Sequence, residues 1–260
     1  MDKINILWTG GWDSTYRVLK LLTKPVIIQP YYLQDNRKSE ELELNSIESI
    51  IREIRNHPDA NCNILELICK KVSDIEKDSQ ITNSYNQLLK NNFFGQQYEW
   101  LARFAKSVKN LELLIHKDDA AFQVIRNNGI VVKKQDSSNE VYYILDRNTS
   151  SEDLINVFGC FKFPILYNSK LEMKDWAEKN NLMYIMNKTW FCHKPINDMP
   201  CGICNPCIYT IEEGLKFRFT KEALRRYKYN KLFAKPIRNS ILYKKLKYIY
   251  KNWVKLYDPK

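Results

Sequence analysis

Two clusters in this 260-residue chain have the residue types and spacing to do chemistry. The first is Thr9-Gly10-Gly11-Trp12-Asp13-Ser14-Thr15, set between the apolar run Ile4 to Trp8 and a helical pattern through Tyr16, Leu19 and Leu22. Paired glycines let a backbone turn tightly and come close to a ligand. The amides of the turn and of the new helix's N-terminus then face negative charge. Ser14 and Thr15 add hydroxyl donors at the helix start, where they can also cap it. Asp13 is the odd member, because a carboxylate repels phosphate unless a cation lies between them. It points to Mg²⁺ bridging to a nucleotide. A glycine turn before a helix cap would account for Gly10-Gly11 alone. The whole string behind a strand reads as a phosphate site. No Gly-Lys-Ser/Thr follows at the spacing of a Walker loop.

The second cluster is Cys192, Cys201, Cys204 and Cys207, in the string Thr189-Trp190-Phe191-Cys192 followed by Pro200-Cys201-Gly202-Ile203-Cys204-Asn205-Pro206-Cys207. These spacings suit a tetrahedral Zn²⁺ site. A tight turn presents Cys201, Cys204 and Cys207 to one ion, Gly202 relieves the backbone, and Cys192 closes the fourth position. His193 is a spare candidate, read as a neighbour because four cysteines complete the set. No coordination position is then left open, so the ion is structural. The rivals are buried free thiols and redox chemistry at a C-x-x-C pair.

The elements that must carry these clusters alternate. Ile4 to Trp8 and Pro25 to Leu33 read as strands. The helix after the polar stretch Gln34 to Glu43 turns Leu44, Ile47, Ile50, Ile51 and Ile54 inward. Ile64 to Val72 reads as a strand, Tyr98 to Val108 as a helix and Leu111 to His116 as a strand. A hairpin, Ile130 to Val132 with Val141 to Leu145, is expected within an insertion at 129–156 on the active-site face. A short helix follows at Asp153 to Phe158, a longer one at Lys170 to Asn180, and a last strand at Met183 to Met186. The pattern predicts an α/β domain with a largely parallel sheet and the glycine loop at the strands' carboxyl ends.

Length suits one sizeable core with a small appendage. No N-terminal signal is expected, because Asp2 and Lys3 run straight into a strand. No apolar run approaches membrane-spanning length. Seven cysteines, four of them clustered late, suggest a reducing compartment and a metal rather than a disulfide framework. The expected location is cytoplasmic. The net charge of +11 is uneven: residues 216–260 hold 15 Lys and Arg against 2 Asp and Glu, and the preceding 215 hold 26 against 28. Within that tail, Asn239 to Tyr257 reads as a helix after a hinge at Pro236. Leu242, Leu246, Ile249, Trp253 and Leu256 form one stripe, with lysines opposite. Such a helix suits the inner face of an anionic membrane, an RNA backbone, or packing on the body.

The glycine string resembles the Ser-Gly-Gly-x-Asp-Ser signature of the PP-loop ATP pyrophosphatases, with Thr9 in the first serine's place. With Phe163-Pro164 before a helix, then Thr-Trp-x-Cys and Cys-Gly-x-Cys-x-x-Cys in that order, the chain resembles the 7-cyano-7-deazaguanine synthase family. The acidic stretch Asp35 to Glu43 is also similar. The likeness covers most of residues 4–213, in pieces. It implies a Rossmann-like sheet of the adenine nucleotide alpha hydrolase type with helices on both faces, plus a small zinc subdomain. The implied division is 1–188 for ATP binding, 189–214 for zinc and 215–260 for a basic helical tail. It also implies an ATP-dependent carbon–nitrogen ligase. A carboxylate is adenylated and ammonia displaces AMP; further ATP drives dehydration to a nitrile. Trp8, Thr9, Gly10, Gly11, Trp12, Asp13, Ser14 and Thr15 would bind ATP, with Asp13 and Ser14 catalytic and Asp13 positioning Mg²⁺. A homodimer is a further expectation. The chain departs from the family at Phe94 to Trp100 and at His116-Lys117-Asp118-Asp119, where substrate-reading residues are expected. Two other readings are a tRNA-thiolating PP-loop enzyme, with Cys69 or Cys160 as its reactive thiol, and a non-catalytic nucleotide-binding adaptor.

Overall fold

A computed structural model describes residues 2–136 and 139–234. The expected tail helix at 239–257 and its hinge at Pro236 lie outside the described residues. The chain divides into two compact units, Met1–Phe191 and Cys192–Lys260. No helix among the described residues is long and apolar enough to cross a membrane.

The first unit is α/β. Strand β1 (Asp2–Leu7) leads through the glycine loop into α1 (Trp12–Lys20). Then come β2 (Val26–Gln34), α2 (Glu40–Arg55), and two short strands, β3 (Asn63–Ile64) and β4 (Ile68–Lys71). Helices α3 (Ser79–Asn91) and α4 (Gln97–Ala105) precede β5 (Leu111–Glu112), and α5 (Ala120–Asn128) follows it. The hairpin β6 (Val131–Gln135) and β7 (Val141–Leu145), helix α6 (Glu152–Phe158), β8 (Phe161–Lys162), α7 (Lys170–Lys179) and α8 (Met183–Met186) complete it.

The sheet order is β3-β2-β1-β5-β8, with β4 also on β2, and every one of these pairings is parallel. The chain first builds outward from β1 through β2. It then returns to the other side of β1 with β5. The gap between β1 and β5 is therefore the switch point, where the two connections leave in opposite directions and open a crevice at the carboxyl ends. The three middle strands each bury an apolar residue completely, Ile6 in β1, Ile28 in β2 and Leu111 in β5, as a sheet flanked by helices requires. One core cluster runs through α3, α4, α5 and α6. Elsewhere α1 meets α7 through an edge-to-face contact of Tyr16 with Trp176, ring centroids 5.2 Å apart.

Several expected elements differ. Met183–Met186 is a helical turn, not a strand: the amides of Ile185 and Met186 both donate to the Leu182 carbonyl. A four-residue apolar run carries no periodicity that separates the two states. The single strand expected at Ile64 to Val72 is split into β3 and β4, both on β2. Helix α2 begins at Glu40, inside the stretch read as polar connection. The strand expected at Leu111 to His116 pairs only over Leu111–Glu112. The sequence pattern does not predict helices α3 and α5.

The second unit begins at Cys192. A bridge between Ile196 and Met199 turns through Asn197 and Asp198, both at positive φ (50° and 55°). Helices α9 (Asn205–Glu212) and α10 (Lys221–Tyr229) follow, and a π-helical turn, Asn230–Ala234, extends α10.

Candidate functional site

The glycine loop leaves β1 at the switch point. Gly10 has φ +68°, and a Cβ there would lie 2.8 Å from the Glu43 carbonyl oxygen and 3.2 Å from Ile47. The turn is thus wedged against the start of α2, where only glycine fits. From the other side, the Trp190 amide donates to the Gly10 carbonyl at 2.9 Å. The Glu43 carboxylate, itself buried, accepts from Tyr32 Oη at 2.8 Å and Ser39 Oγ at 2.7 Å, which holds the first turn of α2 against β2. Burial, with Glu43 beside it, pushes the Tyr32 hydroxyl well above its ordinary range.

Gly11 is the N-cap of α1, and no side chain caps this helix. It shares this with α2, α4, α8 and α9, whereas Asp78, Asp119, Ser151, Ser169 and Thr220 cap α3, α5, α6, α7 and α10. The first turn of a helix without a side-chain cap can offer amide donors to an external acceptor. Ser14 points its hydroxyl back to the Gly11 carbonyl, at 3.3 Å, within the loop. Trp8 and Thr15 are both fully buried, and the Trp8 indole N–H donates to Thr15 Oγ1 at 3.1 Å. They brace the loop from behind, and Trp12 is also buried. Thr9 is exposed at its mouth.

Asp13 lies in the first turn of α1. Its Oδ1 is buried without a hydrogen-bond partner. Its Oδ2 lies 3.9 Å from His116 Nε2 and 3.9 Å from Lys170 Nζ. An unsatisfied buried carboxylate oxygen is costly, and a bound cation or donor would satisfy it. His116 arrives from the exit of β5 and is buried. Its Nδ1 accepts from the Asp118 amide at 3.3 Å, and its Nε2 faces Asp13. Lys170 is the first residue of α7. A capping box holds it there: Ser169 Oγ accepts from the Glu172 amide, and Glu172 Oε2 accepts from the Ser169 amide at 2.6 Å. Those bonds, with Lys117 Nζ 3.1 Å away, hold the Glu172 carboxyl below its ordinary value. Tyr98 completes the surroundings, its hydroxyl donating to Asp119 at 3.2 Å. Burial, then Asp119 and Asp13, push it well above the usual phenol range.

A buried ion network lies along α1. Arg17 forks onto Glu112 of β5 at 2.8 and 2.9 Å and reaches Glu140, beside the hairpin loop, at 3.0 Å. Two carboxylates neutralise this cation, so it positions α1 rather than offering charge to a ligand. The hairpin joins the sheet's far side through paired amide–carbonyl bonds between Tyr143 and Phe163. There Tyr143 and Phe122 pack edge-on around Tyr167, at 4.7 and 5.7 Å, and Tyr167 remains half exposed. The Lys117 amide donates to the Asn168 carbonyl, next to Tyr167.

The sequence singles out Trp8 to Thr15 as site residues, but not His116, Tyr98, Lys170 or Tyr167. The capping signature Ser169-x-x-Glu172 was visible and placed Lys170 at a helix start. Nothing local told that this helix start faces Asp13.

In the second unit the four cysteine sulfurs lie within 4.8 Å of one another. Cys192 and Cys204 are 3.9 Å apart, and Cys201 and Cys207 are 3.8 Å apart. A tetrahedral ion with metal–sulfur bonds of about 2.3 Å has edges of about 3.8 Å, so the set fits. The amides of Ile203 and Cys204 donate to Cys201 Sγ at 3.4 and 3.3 Å, and that of Cys201 to Cys192 Sγ at 3.3 Å. Hydrogen bonds from Cys192 and Cys207 hold the Cys204 thiol far below its usual value. Their cysteine neighbours and burial push the thiols of Cys192 and Cys207 up. A metal ligates cysteine as the thiolate, and a bound dication would stabilise four thiolates at this spacing. His193 is exposed and outside the cluster. Gly202, at φ +79°, admits the Ala223 carbonyl where a Cβ would sit. Arg226 Nε donates to the Cys201 carbonyl at 2.8 Å. The four cysteines can therefore hold a metal ion such as zinc, clamped by α10. No protein-family model matches the chain, and no curated protein matches it.

Proposed function

We propose that the chain is a PP-loop ATP pyrophosphatase resembling the 7-cyano-7-deazaguanine synthases, with an adenine nucleotide alpha hydrolase type of sheet and a structural zinc on Cys192, Cys201, Cys204 and Cys207. The observation that carries this reading is the uncapped α1 start behind Gly10 and Gly11, with the unsatisfied Oδ1 of Asp13 beside His116 and Lys170. Amide donors and a lysine suit a polyphosphate. The free carboxylate oxygen suits Mg²⁺, which would supply charge neutralisation on the leaving pyrophosphate.

In this reading a carboxylate oxygen of the acceptor attacks the α-phosphorus of ATP. The bond from that phosphorus to the bridging oxygen breaks, and pyrophosphate leaves. Ammonia then attacks the acyl carbon and AMP departs with its oxygen. The α1 amides, Thr9 and Ser14 hold phosphate oxygens, and Lys170 takes up charge on the leaving group. His116 orients Asp13. Tyr167, half exposed beyond the β8 exit, suits the face of a planar heterocyclic acceptor. Thiolation is the weaker reading. Burial pushes the Cys69 thiol up, with Glu40 adding to it, and Cys62, a third cysteine outside the cluster, is likewise pushed up by burial.

The test is pyrophosphate release from ATP, Mg²⁺ and ammonia, with and without 7-carboxy-7-deazaguanine, alongside mass spectrometry of the product. Substrate-dependent release with an amide or nitrile product is expected, and Asp13→Ala and Ser14→Ala abolish it. Full turnover in both variants would overturn the site. ATP bound without any AMP formed, across a panel of carboxylates, would mark a non-catalytic adaptor.

A further inference from the structure

We infer that the second unit docks on an anionic phospholipid surface through the outward stripe of α10 and the π-helical turn after it. This stands independently of the nucleotide reading. The inward stripe of α10 is occupied: Ala223 and Asn230 are buried, and Arg226 is bonded to the Cys201 carbonyl. The cysteine knuckle thereby fixes which face the helix turns outward. That face carries Lys221, Arg225, Lys228, Tyr229 and Leu232, spaced at i, i+4, i+7, i+8 and i+11, with Phe233 beside them. All six are exposed, Tyr229 at 66%, Leu232 at 67% and Phe233 at 54%. Tyr229 and Phe233 lie side by side, centroids 5.3 Å apart.

The chemistry of the stripe selects its partner. Residues 216–234 hold seven Lys and Arg against one Glu, so the partner is anionic. Three large apolar side chains in the same stripe need somewhere to leave water. An exposed Tyr-Leu-Phe edge among cations matches the boundary between headgroups and acyl chains. A nucleic-acid backbone would reward the cations and stack the rings, but it offers nothing to an aliphatic Leu232. The sequence beyond continues the theme, with eight further Lys and Arg and one Asp in residues 235–260.

The experiment is co-sedimentation of the full chain with vesicles of phosphatidylcholine alone and of phosphatidylcholine mixed with phosphatidylserine. Single-stranded polyuridylate is titrated in parallel. Binding is expected to the anionic vesicles only, weakening with salt. Arg225→Gln/Lys228→Gln should weaken it roughly 30-fold, the product of two cations near an anionic surface. Tyr229→Ser/Leu232→Ser/Phe233→Ser should abolish it, while both variants keep their metal content and circular dichroism. Vesicle binding that neither variant weakens would move the contact elsewhere and overturn the inference. Tight polyuridylate binding without vesicle binding would overturn it in favour of RNA, and binding to neither ligand would also sink it.

Discussion

At Gly10 the backbone sits at φ +68°, and a Cβ would lie 2.8 Å from the Glu43 carbonyl oxygen. Gly10→Ala should therefore destabilise the fold by about 1–3 kcal/mol from backbone strain alone, and urea denaturation would measure it. Gly11, with φ −78° and its nearest neighbour a Thr9 hydroxyl at 3.2 Å, is the contrasting control and should cost less. Arg17 is the second position where one side chain decides much. It is buried between Glu112 and Glu140, and Glu112 is itself buried. Arg17→Met strands that carboxylate and should cost about 3–5 kcal/mol. Arg17→Met/Glu112→Leu should recover a large part of the loss, because it removes the uncompensated charge along with its partner. A double variant no more stable than the single one would show that the network does more than neutralise. Both residues stand out poorly in the sequence: an arginine in a helix and a glutamate in a strand look like surface residues until β5 is placed beside α1.

Among the elements, α7 shows how a local signature acquires a distant purpose. Its capping box is written in Ser169 and Glu172, and its first residue, Lys170, meets Asp13 from more than 150 positions away. Glu172→Ala should cost about 1 kcal/mol or less, since its carboxylate is half exposed and screened. The sign of its pH dependence follows from a lowered folded-state pKa. The contribution is complete above the ordinary glutamate value of 4.5 and is lost as pH falls through the lowered one. The stability gap between the parent and Glu172→Ala should therefore close in acid, measured by denaturation at a series of pH values. A gap that widened in acid would contradict it. Elements with strong periodicity, such as α2, were legible nearly in full. Met183–Met186 was not, because Leu182 and its turn, not the residue types, set the conformation.

For the whole molecule, the two units predict two responses to metal removal. A strong chelator should release one zinc per chain, seen by metal analysis. It should open residues 192–234 to proteolysis while the β1–β5 sheet keeps its protection. Cys204→Ser should reproduce this without chelator. Protection of residues 192–234 that persists after all metal is gone would show that their helices hold the fold unaided. The stripe on α10 depends on the same knuckle, since Ala223 and Arg226 rest against it.

What the sequence determined by itself were the features encoded within a few residues: the glycine turn, the cysteine spacing, the alternation of strand and helix, and the uneven charge. Each is a local rule of backbone geometry or ligand number, so it survives without knowledge of neighbours. Only the tertiary structure decided what surrounds Asp13. His116 and Lys170 reach it because β5 ends and α7 begins at the same edge of a parallel sheet, and no spacing along the chain encodes that convergence. It also showed that Thr15, read as a donor to phosphate, is fully buried and accepts the indole N–H of Trp8. Burial is a property of the assembled core, and there it decides which polar atoms remain for a ligand.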